Sequence, residues 1–258
     1  MLAPLKVPAG VFANGTEYES KGRWRDVSLV RWRNGSLRPI GGWIRWGTAT
    51  FSGIARGAYS WTDNSGNRWF AFGTAAKLYV SDDDAQIFDI TPTSGFTTGN
   101  TSATNTGIGY GKSLYGAGSW GTPRPDVGAI ALATTWSLDG LGQYLIGCSD
   151  GDGSLLLWQL NTGVKASAVT NAPTNCTGVV VTEEGFAFAL GAGGDPRNIA
   201  WPDQDDYTTW TPDVTNQAGS YVIETDGEIR CGIKVPGETL ILTSTDLWRA
   251  RYIGMPLV

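Results

Sequence analysis

The sequence predicts an all-β fold: a β-propeller-like domain of short antiparallel blades behind an extended basic arm and hairpin. Three observations predict it. Thirty-six glycines and twelve prolines divide 258 residues into short segments rich in Val, Ile, Thr and aromatics, the composition of strands joined by tight turns. No long apolar run of helical period occurs, and period-two alternation takes its place. A unit of apolar strand, polar turn and aromatic-bearing strand recurs through the chain, as propeller blades do. A β-sandwich fits the same strand and turn spacing and is the alternative. The length allows one substantial core. The chain therefore divides into an arm over residues 1–53 and a propeller-like domain over 54–258, with an insertion at 93–134.

The arm comes first. GRWRDVSLVRWRNGSLRPIGGW, residues 22–43, carries Arg23, Arg25, Arg31, Arg33 and Arg38 together with Trp24, Trp32 and Trp43. Asn34-Gly35 is a strong signal for a two-residue type I′ turn, because both central positions require positive φ. That turn pairs Trp32 with Leu37 and Arg31 with Arg38, giving one apolar and one cationic face. Trp24, Trp32, Leu37 and Trp43 are the expected packing residues. The five arginines are the expected contact for an anion or another subunit, since like charges directly opposite destabilise a hairpin by about 0.2–1 kcal/mol. Aromatics interleaved with cations also mark single-strand nucleic-acid sites, but there both must face one ligand. Here they point apart.

The repeating units follow. WFAFG (69–73), YLIGCS (144–149), FAFALG (186–191) and TLILTS (239–244) are the apolar strands, and KLYVS (77–81), SLLLWQL (154–160), NIAWP (198–202) and DLWRARYIG (246–254) are their partners. The insertion is rich in Gly, Ser and Thr, with Tyr110, Tyr115 and Trp120 available to bury on a neighbour. About four units place the chain at the lower end of the propeller range. It closes with help from the arm, or it is a piece of a longer polypeptide.

Charge and chemistry narrow the function. Residues 1–56 carry +6 and the remainder −11, within an overall −5, so a basic arm faces an acidic body. Histidine is absent, which removes the commonest general base, the usual triads and most zinc sites. No GxxxxGK[ST], GxSxG or HExxH motif occurs. Asp150 and Asp152 sit in SDGDGS, but an EF-hand places Glu at its twelfth position, which falls on Asn161 here. They read as turn residues, as do Asp82, Asp83 and Asp84. Asp203, Asp205 and Asp206 lie between Trp201 and Trp210 and could serve carboxylate-based glycan cleavage only if paired across a bond. Cys148, Cys176 and Cys231 sit in apolar segments and are expected to be buried free thiols. No segment is long and apolar enough to be a membrane helix, and MLAPLKVPAG lacks a signal-peptide core. No cofactor, metal or enzymatic activity is expected.

Four phrases in order carry a resemblance: NGTEYESKGRWRDVSLVRWRNGSLRPIGGW, GIGYGKSLYGAGSWGTPRP, TTWSLDGLGQYLIGCSDGDGSLLLW and NIAWPDQDDYTTWTPDVTNQAGSYVI. From about Gly10 to Tyr252 the chain resembles the tail nozzle, or packaged-DNA stabilisation, proteins of short-tailed bacteriophages. The resemblance implies a non-enzymatic virion structural protein, assembled in the host cytoplasm as a head-tail connector or tail hub ring, commonly a hexamer. Its implied partners are copies of itself, other tail or connector proteins, and packaged DNA that passes the channel without tight binding. Two departures stand out. Members are usually longer, and Leu141 stands where a tryptophan is expected. The alternative function is a glycan-binding propeller whose indoles form platforms for sugar rings.

Overall fold

The computed structural model describes residues 10–42, 44–45, 47–105 and 130–254, with backbone alone at 105 and 130. It separates into two compact units, Met1–Trp46 and Gly47–Val258. The boundary falls a few residues before the one expected after residue 53, for a packing reason. Phe51 sets its ring edge-on to Phe72 at 4.7 Å, and the Ser52 amide donates to the Tyr79 hydroxyl at 3.1 Å. The stretch that looked like the end of the arm is thus part of the body.

In the first unit, β1 (Val30–Arg33) and β2 (Ser36–Pro39) form the expected hairpin. Arg31 lies opposite Arg38 and Trp32 opposite Leu37. Asn34 at φ 51° and Gly35 at φ 73° supply the two left-handed positions of the turn.

The second unit begins with four consecutive strands, β3 (Ala58–Thr62), β4 (Arg68–Gly73), β5 (Leu78–Ser81) and β6 (Ile87–Asp89). A two-stranded stem, β7 (Thr104–Asn105) with β8 (Ile130–Ala131), carries the insertion. Next come β9 (Trp136–Leu141), β10 (Tyr144–Ser149), β11 (Leu155–Trp158) and β12 (Ser167–Ala168), followed by β13 (Gly178–Val181), β14 (Ala187–Leu190), β15 (Asn198–Trp201) and β16 (Gly219–Val222). The last sheet is β17 (Ile229–Val235), β18 (Glu238–Thr243) and β19 (Leu247–Ala250). Each set pairs in sequence order into an antiparallel meander, three of four strands and one of three. The first strands β3, β9, β13 and β17 pack successively on one another. This is the arrangement of propeller blades around an axis, and it replaces the sandwich alternative. The apolar segments foreseen from sequence are the second strands of the blades, and their partners are the third.

The pleat explains why the second and third strands are continuously apolar. Successive side chains point to opposite faces, and in an interior blade both faces meet a neighbour. Leu145 and Leu156 pack towards the first blade with Leu78, Val80 and Trp158. Their immediate neighbours Ile146 and Leu155 pack towards the third with Val179, Val181 and Ala187. Val180, next to Val179, turns the other way and joins Phe186, Ile199, Ile223 and Ile241 beneath the fourth blade. Each such buried aliphatic side chain contributes about 1.5–3 kcal/mol relative to exposure. Leu141 packs against the seam between the second and third blades.

Candidate interaction surface

The hairpin carries its charges on one face. Arg31, Arg33 and Arg38 are exposed, while Val30, Trp32 and Leu37 between them are half-buried. Among the described residues none of these three guanidiniums meets a carboxylate. The Arg31–Arg38 repulsion is therefore not offset by any described residue. Arg25 and Arg23 behave differently from the rest. Arg25 pairs with Glu17 at 3.1 Å, and Arg23 lies 5.5 Å from the centre of the Phe12 ring. Trp24 is bridged to Val11 through the backbone and keeps 37% of its surface exposed. Trp43, Tyr110, Tyr115 and Trp120 lie outside the described residues.

The aspartates that sequence offered for metal or acid chemistry hold backbone in place, Asp82 and Asp206 within their own turns and Asp150, Asp152 and Asp203 between separate segments. Asp82 accepts the amides of Asp84 and Gln86 at 3.1 and 2.9 Å. Asp150 accepts the amide and hydroxyl of Thr135, and Asp152 the amide of Thr97 at 2.6 Å. Asp203 accepts the amides of Gln204 and Gln217. Asp206 caps Thr208 and Thr209, and the Thr208 hydrogen bonds lower its pKa. Asp205 adopts a left-handed φ of 57°. Among the described residues no group of three potential metal ligands forms.

Two carboxylates that the sequence reading passed over link the blades. Asp139, on β9 and 9% exposed, accepts the Val181 amide at 2.8 Å and lies close enough to the Tyr59 phenol to act on it electrostatically. It thereby acts on the first strands of both neighbouring blades. Burial, followed by the Asp139 charge, raises the Tyr59 pKa. Asp89, at the end of β6, receives Lys77 at 2.7 Å and Lys165 of the second blade at 3.6 Å. Burial opposes its ionisation, but hydrogen bonds from Lys77 and Thr91 and the charge of Lys165 outweigh that and hold its pKa at about 2. The signal for Asp139 was legible: a lone acid inside the apolar strand WSLDGL needs buried partners.

The thiols depart from expectation at one position. Cys148 and Cys176 are buried, and Cys231 is exposed, because β17 belongs to the last blade and one of its faces has no following sheet among the described residues. Burial raises Cys148 well above the usual thiol range and Cys176 to about 11.

The indoles of the body are structural for the most part. Trp61 donates to Gln143, Trp69 to Asp63, Trp136 to Thr74, Trp158 to Asn161 and Val164, Trp201 to Gln217 and Trp210 to Tyr207. All six are buried or half-buried. They do not form the repeated exposed platforms that the glycan-binding alternative requires.

No protein-family model matches the chain, and no curated protein matches it. Solved structures similar to it include a streptogramin B lyase, with a TM-score of 0.31 and 12% identity over 78% of this chain and 70% of that one. Virginiamycin B lyase from Staphylococcus aureus gives 0.30 and 12% over 76% and 69%, and a catalytically inactive form of that lyase with quinupristin gives 0.29 and 9% over 78% and 71%. Likeness at this level carries no argument about activity. The propeller-like fold rests on the strand pairing itself.

Proposed function

We propose that the chain is a structural component of a tailed-phage virion, a nozzle or hub ring protein that surrounds the DNA exit channel and acts through contacts between its copies. The observation that carries this reading is the hairpin face of Arg31, Arg33 and Arg38, which meets no carboxylate among the described residues of a chain whose body is net acidic. In a ring each subunit presents unlike surfaces to its two neighbours, so a cationic hairpin on one copy can meet an acidic surface on the next. The order of the four quoted phrases supports the same reading. An acidic channel wall lets DNA pass, because affinity for duplex arises from phosphate neutralisation by Lys and Arg.

Sedimentation and electron microscopy of the purified chain test the proposal. The expected result is a closed multi-subunit particle that is lost when Arg31, Arg33 and Arg38 are all replaced by Glu. A strictly monomeric wild-type protein at low salt, with no particles, defeats it. In a mobility-shift assay at physiological salt the isolated protein should retain little duplex DNA.

A further inference from the structure

The first strands pack in the order β3, β9, β13, β17, and no comparable packing joins β17 back to β3 among the described residues. Each blade has one face towards the blade before it and one towards the blade after it. The array therefore ends in two faces without a neighbouring sheet: the near face of the first blade and the far face of the last. Both are apolar.

On the last blade, Gly232 and Ile241 turn towards the third. Alternation then places Cys231, Ile233, Leu240 and Leu242 on the far face, and Leu247 joins them opposite Leu242. The register makes the patch continuous, with Cys231 opposite Leu242 and Ile233 opposite Leu240. Ile233 is 49% exposed and Leu247 62%. The second blade has a far face of the same chemistry, Ile146, Cys148, Leu155 and Leu157, and buries it on the third. On the first blade, Ala71, Leu78 and Val80 turn towards the second, so Phe70, Phe72 and Tyr79 lie on the near face. Phe72 stacks on Tyr79 at 5.3 Å and meets Phe70 at 5.7 Å and Phe51 at 4.7 Å. Of these rings Phe70 and Phe51 remain exposed, at 39% and 43%. Aromatic near faces are already used inside the body, where Trp248 and Tyr252 of the last blade pack towards the third.

We propose that the far face of the last blade docks the near face of the first blade of a second copy, head to tail. The occupant follows from the chain itself. The described residues already form three sheet-on-sheet seams of this kind, and each end presents one unused half of another. Pairing two last blades with each other would leave the aromatic face of the first blade in water, whereas head-to-tail contact covers both patches. The two halves are unlike, so the contact is heterologous and generates a ring where its rotation closes. This inference rests on the reading that copies assemble, but it uses residues other than those of the hairpin.

Sedimentation of the full chain and of two variants tests it. Ile233→Asp alters the last blade and Phe70→Asp the first. Each alone should associate at least about ten-fold more weakly than wild type, because docking would bury a carboxylate without a partner. Mixed in equal amounts they should form pairs and nothing larger, since only the last blade of Phe70→Asp and the first blade of Ile233→Asp are intact. Thiol labelling of the wild type needs no variant. Cys231 is reactive in the dilute chain, and its labelling should slow by about five-fold at concentrations where copies associate, as access is lost. If wild type and both variants associate equally, or association leaves the Cys231 rate unchanged, these faces are not the contact and the proposal fails while assembly through the hairpin stands. If both variants are folded by circular dichroism, monomeric alone and still monomeric when mixed, like faces pair and the head-to-tail contact is overturned. A wild-type chain that is monomeric throughout defeats both readings.

Discussion

At Gly73 an added methyl group would lie 2.2 Å from Cγ of Trp136, and the indole there is fixed by its bond to the Thr74 carbonyl at 2.7 Å and by stacking on Phe96 at 5.9 Å. Neither partner can move without opening the seam between the first two blades. Gly73→Ala should therefore lower stability by about 1–3 kcal/mol, the usual cost of overpacking, measured as a shift in the urea midpoint. Asp89 makes a pH-dependent contribution. Its folded pKa of about 2 lies below the ordinary 3.8, so the stability it adds is present above pH 4 and is lost as pH falls towards 2. With the carboxylate and both lysines partly exposed, that contribution is on the order of 1 kcal/mol. Asp89→Asn should remove it and flatten the melting temperature over the same window. Thiol reactivity provides a further check. Cys231 should react rapidly with a disulfide reagent in the native protein, whereas Cys148 and Cys176 should react only on unfolding, because burial suppresses their thiolates. None of these residue-scale facts could be read from neighbours in sequence: Gly73 and Trp136 are brought together by packing between blades.

Among elements, the hairpin was the most legible, since Asn34-Gly35 fixes the turn and the turn fixes the register. Gly35→Ala should strain its φ of 73° and cost the hairpin about 1 kcal/mol, seen as faster hydrogen exchange at the amides that bridge Arg31 and Arg38. The second and third strands of the interior blades were legible as well, because burial on both faces leaves an apolar run. The first strands were missed. AYSWT and IRCGIKV alternate polar and apolar residues and bury only part of each strand, so they lack the continuous signature. GVVV is apolar throughout but short and follows a loop. The three-stranded last blade has a further consequence. Gly232 and Ile241 turn towards Val180 and the third blade, which sets Cys231 and Ile233 on the opposite face, where Ile233 is 49% exposed.

For the whole molecule, the charge division between arm and body is the feature that bears on assembly. If basic hairpins join copies through acidic surfaces, the particle should dissociate as salt is raised from about 0.1 to 1 M, over which the screening length falls from about 10 to 3 Å. Sedimentation across that series measures it, and a particle indifferent to salt would show that apolar contacts hold it together instead. Within the body, β3, β9, β13 and β17 pack in succession, and the described residues place no further sheet beyond the fourth blade.

The sequence by itself determined the second and third strands of the blades, the hairpin register and the skew of charge, because these depend on apolar runs, turn stereochemistry and composition, all local to the chain. Tertiary structure alone decided that Asp150 and Asp152 hold Thr135 and Thr97, that Asp139 and Asp89 join blades, that Cys231 faces outward, and that the Trp248 indole nitrogen is buried without a partner. Those outcomes depend on which face of each blade meets its neighbour, and the residues that meet there are separated by a full blade of sequence.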